Sequence, residues 1–296
     1  MYIKNFIWLI IFSISIGCSK DVDVCQKYFQ KEYVDLSAKN ENLFKEGKVE
    51  EAISFAEGIL KADSTNYVAT CNLGTFKFEL CPEKECSIEQ LKEVYDLYKK
   101  TIELCQSYRI GYFNTIEILS EMAHTKYEND QELIDYLKFY NSKWEKRSNL
   151  MTKGGEAMYR LGRIEEALNY LNEAIELDST EAMAYIFKGK CFTSKNEWGK
   201  AMESLNMGLS IDSLSLGFHE RAYVNEELGY IEEAIDDYKT AISLYKNRWE
   251  SYVGIGAIEV KRNNLNLACQ YFQEAKGLIG ANETVDKWIE KYCQNE

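Results

Sequence analysis

The chain has 296 residues, of which 46% are apolar and 28% charged, and its formal net charge is -13. Enough apolar material is present to bury a real core, which excludes a disordered chain, and a single proline suits helices, which proline breaks. The acid excess excludes nucleic acid as a partner, because that affinity comes from lysine and arginine placed on phosphates.

Residues 1–17 read as a targeting segment. Lys4 supplies a positive start, and Phe6 to Ile16 is an apolar run broken only by Ser13 and Ser15. Such a run is short for a transmembrane helix. It ends in Ser15-Ile16-Gly17-Cys18, which resembles the lipobox of bacterial lipoproteins, with Ser15 departing from the more usual leucine. The resemblance implies a signal peptide over 1–17, lipidation of Cys18, and a lipid-anchored tether over 18–32. It also implies a cell-envelope address reached through lipid chains. By the sorting rules of such lipoproteins, Ser19 after the cysteine favours the outer membrane, with the periplasmic face and the cell surface both open.

Export would place the remaining cysteines in an oxidising compartment, where disulfides persist. Cys81 and Cys86, separated by Pro82-Glu83-Lys84-Glu85, suggest a local bridge. Zinc is the rival reading, but it needs two further ligands, and no second CxxC or paired histidine exists. Cys191 and Cys269 fall at packing positions and read as small apolar residues.

From about residue 33 the chain repeats itself. Ala167, Ala201, Ala234 and Ala268 follow one another at 34, 33 and 34 residues. Each is followed by a bulky residue (Leu171, Leu205, Tyr238, Phe272) and then a small one (Ala174, Gly208, Ala241, Ala275). Each is preceded by a small residue (Gly155, Gly189, Ala222, Gly256) and then by Gly or Asn (Gly162, Asn196, Gly229, Asn263). Small residues let two helices approach while the bulky one fills the groove between them. Gly or Asn tolerates the left-handed backbone that ends a helix. The pattern predicts a helix–turn–helix hairpin in every repeat.

This resembles the tetratricopeptide repeat in period and in its small/large pattern. The usual proline after the second helix is absent; Asp63-Ser64-Thr65, Asp178-Ser179-Thr180 and Asp212-Ser213 stand there with turn and capping oxygens. The resemblance implies an all-α fold, a right-handed superhelical solenoid of about seven repeats closed by a C-terminal capping helix. Well-matched repeats are expected at 148–181, 182–214, 215–248 and 249–282, and degenerate ones across 33–147, at 33–66, 67–108 and 109–147. The second degenerate repeat carries an insert near 81–93, and 283–296 forms the cap.

Catalytic constellations are missing from the sequence. Only His124 and His219 are present, and there is no HExxH or GxSxG. Gly254-Ile255-Gly256 lacks a third glycine and falls inside a repeat helix. The recurring Glu-Glu-Ala pairs sit at helix starts, where acids favour the dipole. The expectation is a non-enzyme with no cofactor and no metal.

Function is therefore expected on the inner face. The family's groove positions, carried onto this chain, include Glu156, Tyr159, Arg160, Met183, Ile186, Lys190, Leu216, His219, Tyr223, Glu226 and Glu227. Tyr159, Met183, Ile186, Leu216 and Tyr223 would make an apolar stripe for an extended peptide or partner helix. Periodicity does not separate groove from interior. The first expectation is a protein–protein interaction scaffold binding protein or peptide segments in the envelope. The alternative is a glycan- or nutrient-binding outer-membrane lipoprotein on the same repeats, and the oligomeric state stays open.

Overall fold

The computed structural model describes residues 25, 31–81, 86–124, 129–280 and 282–293. Cys18 and the whole expected signal peptide lie outside the described residues. Helices account for all regular structure among the described residues. The chain divides into two compact units, Met1–Lys146 and Arg147–Glu296.

The N-terminal unit holds α1 (Lys31–Lys45), α2 (Val49–Ala62), α3 (Tyr67–Glu79), α4 (Ile88–Leu104), α5 (Arg109–His124) and α6 (Asp130–Lys143). The C-terminal unit holds α7 (Ser148–Arg160), α8 (Ile164–Leu177), α9 (Ala182–Ser194), α10 (Trp198–Ile211) and α11 (Ser215–Glu227). It continues with α12 (Ile231–Leu244), α13 (Trp249–Lys261), α14 (Leu265–Ile279) and α15 (Glu283–Tyr292). Odd-numbered helices up to α13 open the hairpins and even-numbered helices close them.

Each hairpin turn of the C-terminal unit uses one residue with a left-handed backbone. Gly162 and Gly229 have φ of 72° and 82°, and Asn196 and Asn263 reach 57° and 62°. The helix that follows begins without a side-chain cap at Arg163 and Tyr230. Glu165 and Glu166, and Glu232 and Glu233, occupy those first turns and oppose the dipole instead. Between α8 and α9 a side chain holds the turn: Asp178 accepts from the Thr180 amide at 2.9 Å and from its hydroxyl at 2.7 Å.

The small/large pairs pack as the repeat requires. A Cβ on Gly155 would meet Leu171 at 2.6 Å, and one on Gly189 would meet Leu205 at 2.6 Å. Backbone and leucine therefore touch directly, which only a residue without a side chain permits. The alanines of the second helices, Ala167, Ala201, Ala234 and Ala268, are fully buried. In the N-terminal unit the bulky Leu133, Leu137 and Tyr140 of α6 are buried in the core as well.

Within the C-terminal unit the first helices α7, α9, α11 and α13 pack on one another in series as well as on their own partners. Each second helix packs on the first helices before and after it. The first helices thus form one inner layer and the second helices an outer one.

Three disulfides join Cys25 to Cys105, Cys81 to Cys86 and Cys269 to Cys293. Two of them correct the sequence expectations. Cys269 is not merely a small packing residue; its thiol ties α14 to the end of α15. Cys25 does not lie in a free tether, because it is 6% exposed and packs with Tyr67 and Cys105. Cys191 and Cys71 remain free and buried, and burial pushes each thiol up to about 12. The insert is also shorter than expected. α4 already starts at Ile88 and runs for 17 residues, so part of the extra length of this repeat is helix.

The cap is built from aromatic contact. Trp288 stands edge-on to Phe272 with ring centroids 5.0 Å apart, and Tyr292 lies 6.3 Å from the same ring. Val285 is 1% exposed beneath them. Asn282 caps α15 by accepting from the Thr284 and Val285 amides at 3.1 Å.

Candidate functional site: the inner face of the C-terminal repeats

The inner layer places one set of side chains from every repeat on the same surface. Tyr159 and Arg160 come from the last turn of α7, Lys190 and Ser194 from α9, and His219, Tyr223, Glu226 and Glu227 from α11. In α9 and α11, spacings of three and four residues put each set on one face.

These side chains are cross-linked from helix to helix. The Ser194 hydroxyl donates to the Tyr159 hydroxyl at 3.3 Å. The Lys190 ammonium sits 5.4 Å from the Tyr159 ring centroid and 5.7 Å from that of Phe187. It also pairs with Glu220 at 2.7 Å, joining α9 to α11. Two contacts then join α11 to α13: Lys261 pairs with Glu226 at 2.7 Å, and His219 Nδ1 lies 2.9 Å from Ser251 Oγ. The outcome is a run of alternating charge and aromatic surface along four helices.

Electrostatics hold this run in a defined state. Burial works against the Lys190 charge, but the Glu220 carboxylate, with Tyr159 and Glu156 near it, keeps the ammonium above the ordinary lysine value. Burial lowers the His219 value, and the nearby Glu220 and Glu250 carboxylates only partly offset it. His219 is therefore held neutral at pH 7. Its serine partner is fully buried, so the pair is an interhelix hydrogen bond and not an accessible nucleophile with its base.

The expected apolar stripe is corrected here. Ile186 is 0% exposed and lies in the core cluster with Ala201, Leu205 and Val224. Met183 and Leu216 are partly buried against that same cluster. Glu156 is 8% exposed and pairs with Arg160 at 2.6 Å. The aromatic side chains left on the surface are Tyr159, half-buried, and Tyr223, 41% exposed. Glu227 stands exposed beside Tyr223. Sequence reasoning missed Glu220, which lies outside the family's usual groove positions. Its only sequence signal is a carboxylate facing Lys190 from the next repeat.

A second polar clamp lies behind this face. Arg221 donates to both Asp237 oxygens at 2.8 and 2.7 Å and to Asn206 at 2.9 Å. Asn225 donates to Asp237 at 3.1 Å. This fixes α11 onto α12 and α10, so the inner face is carried on a braced helix.

Among the described residues no group of three or more His, Cys, Asp or Glu is placed to hold a metal ion. No described helix is long and apolar enough to cross a membrane.

Comparison with known proteins agrees with this fold. The tetratricopeptide repeat family model matches residues 155–181 and 217–248. A TPR repeat-containing protein of Methanocaldococcus jannaschii is 25% identical over 108 residues, covering 36% of this chain and 19% of that protein. Among solved structures, a tetratricopeptide repeat protein from Parabacteroides merdae matches with a TM-score of 0.70 at 14% identity. That match covers 88% of this chain and 99% of the other. A chain of the APC/C hetero-tetramer Cut9-Hcn1 matches with a TM-score of 0.68 at 12% identity, over 88% of this chain and 49% of its own. These likenesses show the fold, all-α helical hairpins of the tetratricopeptide-repeat kind.

Proposed function

We propose that this tetratricopeptide-repeat chain is a non-enzymatic scaffold, lipid-anchored through Cys18 in a bacterial cell envelope, that binds a protein segment on the inner face of its C-terminal repeats. The observation that carries the binding reading is the cross-linked surface of Tyr159, Lys190, Glu220 and Glu226, with the Tyr223 ring exposed on the same helix as Glu226. It is rigid before any partner arrives, so little ordering cost falls on this side of a complex. Tyr159 and Tyr223 offer aromatic contact area, and tyrosine is enriched among residues that dominate binding energy. Glu226 and Glu227 beside them favour a segment with basic flanks. The Cut9-Hcn1 hetero-tetramer is one assembly built on a related fold.

The envelope reading rests on Gly17-Cys18 after the apolar run, and the disulfides support it. Three bridges in one chain are what an oxidising compartment allows and a reducing one suppresses. The insert between α3 and α4 is short and closed by Cys81–Cys86, which favours a scaffold over a sugar-binding protein with long loops.

A photo-crosslinking amino acid at Tyr223, compared with one at Lys239 on the exposed outer side of α12, tests the face. The scaffold reading expects the same defined partner repeatedly from Tyr223 and not from Lys239. Equal recovery from both positions would place binding elsewhere. For the anchor, Cys18→Ser should leave the protein unacylated and outside the detergent-extracted membrane fraction; an acylated, membrane-bound variant would refute it.

A further inference from the structure

The Cys25–Cys105 disulfide pins the start of the chain to one edge of the N-terminal unit. Cys25 and Cys105 have Cα atoms 5.6 Å apart although 80 residues separate them in sequence. Cys25 packs against Tyr67 at the start of α3, with Leu104 and Tyr108 beside it. Its Sγ lies 3.3 Å from the Ser107 hydroxyl. The Tyr67 and Tyr108 rings meet at 4.8 Å, so the α2–α3 and α4–α5 junctions form one continuous edge. The hairpin turns α1–α2 and α3–α4 lie at the opposite end of the same helices. For a helix of 14 residues such as α2, that separates the two edges by about 20 Å.

Chain length then limits how far this edge can stand from Cys18. Seven Cα–Cα steps separate Cys18 from Cys25, which span at most about 25 Å. Without the bridge, the first anchored point would be α1 at Lys31, at a reach of about 45 Å. The bridge therefore roughly halves the leash.

Charge points the same way. The first turns of α3 and α5, at the junction edge, carry no acidic residue. Those of α2 and α4, at the opposite edge, carry Glu50, Glu51 and Glu89. In the junctions themselves Lys61 and Arg109 balance Asp63 and Glu103. A chain with net charge -13 thus presents a locally balanced edge where its leash is shortest. Balanced charge lets a surface approach phospholipid headgroups that would repel the acidic remainder.

We propose that the junction edge of the N-terminal unit lies against the phospholipid headgroups, aimed there by the Cys25–Cys105 disulfide. The proposal rests on the lipid-anchored reading above. A leash of at most about 25 Å keeps the junction edge the nearer one on average, and the acidic first turns of α2 and α4 disfavour approach by the hairpin-turn edge.

The test uses the full-length protein in its native membrane with a photoactivatable phospholipid carrying the reactive group at headgroup depth. Mass analysis of the N-terminal peptide first establishes acylation of Cys18. With Cys18 acylated, adducts should fall on peptides covering 61–66 and 104–109 at least about fivefold more often than on 45–51 and 88–93, because a headgroup probe does not reach across the helix length. An even or reversed distribution overturns the proposal while leaving the anchor intact. An unacylated Cys18 refutes the anchor reading and the orientation with it. In a Cys25→Ser/Cys105→Ser variant with native helical circular dichroism, the bias should fall toward parity. If that variant keeps the full bias, the disulfide does not aim the edge. If it does not fold, the wild-type distribution decides alone.

Discussion

Glycines in this chain divide by what stands opposite the missing side chain. Gly189 faces Leu205 at a virtual Cβ distance of 2.6 Å, whereas a Cβ on Gly58 in the middle of α2 would meet nothing within 4 Å. Gly189→Ala should therefore destabilise the fold by about 1–3 kcal/mol through overpacking. Gly58→Ala should stabilise it by about 0.5–1 kcal/mol through helix propensity. Paired denaturant titrations give both signs at once, and equal effects would mean that the helix spacing is wrong. His219 supplies a residue-scale test in pH. Burial lowers its value below the ordinary 6.5, so the unfolded chain binds the proton more readily than the folded one. The associated stability is fully present above about pH 6.5 and is lost as pH falls through the folded value. Between pH 7.5 and 5.5 the wild type should lose stability, and His219→Gln should lose less. Indistinguishable slopes would remove the buried-imidazole account. The turn residues and the small/large pairs were legible in the sequence because the repeat demands them at fixed offsets. Ile186 was not, since groove and core share the same helical period, and only the packing of Val224 and Leu205 around it shows that it is interior.

At the scale of elements, each hairpin leaves an apolar side that the next must cover, and α15 covers the last one. Its hold combines the Phe272–Trp288 contact, the Lys276–Asp286 pair at 2.8 Å and the Cys269–Cys293 bridge. The bridge closes a loop of 24 residues, which by unfolded-chain entropy is worth about 3 kcal/mol. Cys81–Cys86, with a separation of 5, should give no more than about 2 kcal/mol. Cys293→Ser should speed hydrogen exchange in α15 and lower the melting temperature more than Cys86→Ser does. If Cys86→Ser has the larger effect, the capping role assigned to the bridge is wrong. The cap helix could be read from its amphipathic spacing. Its covalent partner could not, because pairing Cys269 with Cys293 requires knowing that α15 folds back on α14. Cys25 with Cys105 was further out of reach, since no local pattern links residues 80 apart.

At the scale of the molecule, repetition generates a surface and the sequence decorates it. The repeat period and its small residues sufficed to read an all-α stack of hairpins. The character of the inner face was read less well. A stripe of apolar side chains was expected, and the helices instead present tyrosines joined by Lys190–Glu220 and Lys261–Glu226. Those pairs form between neighbouring repeats, so no pattern within one repeat reveals them. They make the face a polar surface with two aromatic footholds, and the proposed scaffold function requires a partner to contact both. The most direct measurement is recovery of the Tyr223-crosslinked partner by wild type and by Tyr159→Ala/Tyr223→Ala, each monitored by circular dichroism and thermal melting, with crosslinking moved to Glu227. Both side chains are at least partly exposed, so the double variant should keep its helical signal and melt within a few degrees of wild type while losing the partner. A folded double variant that still captures the same partner at wild-type yield would contradict the inner face as the binding surface.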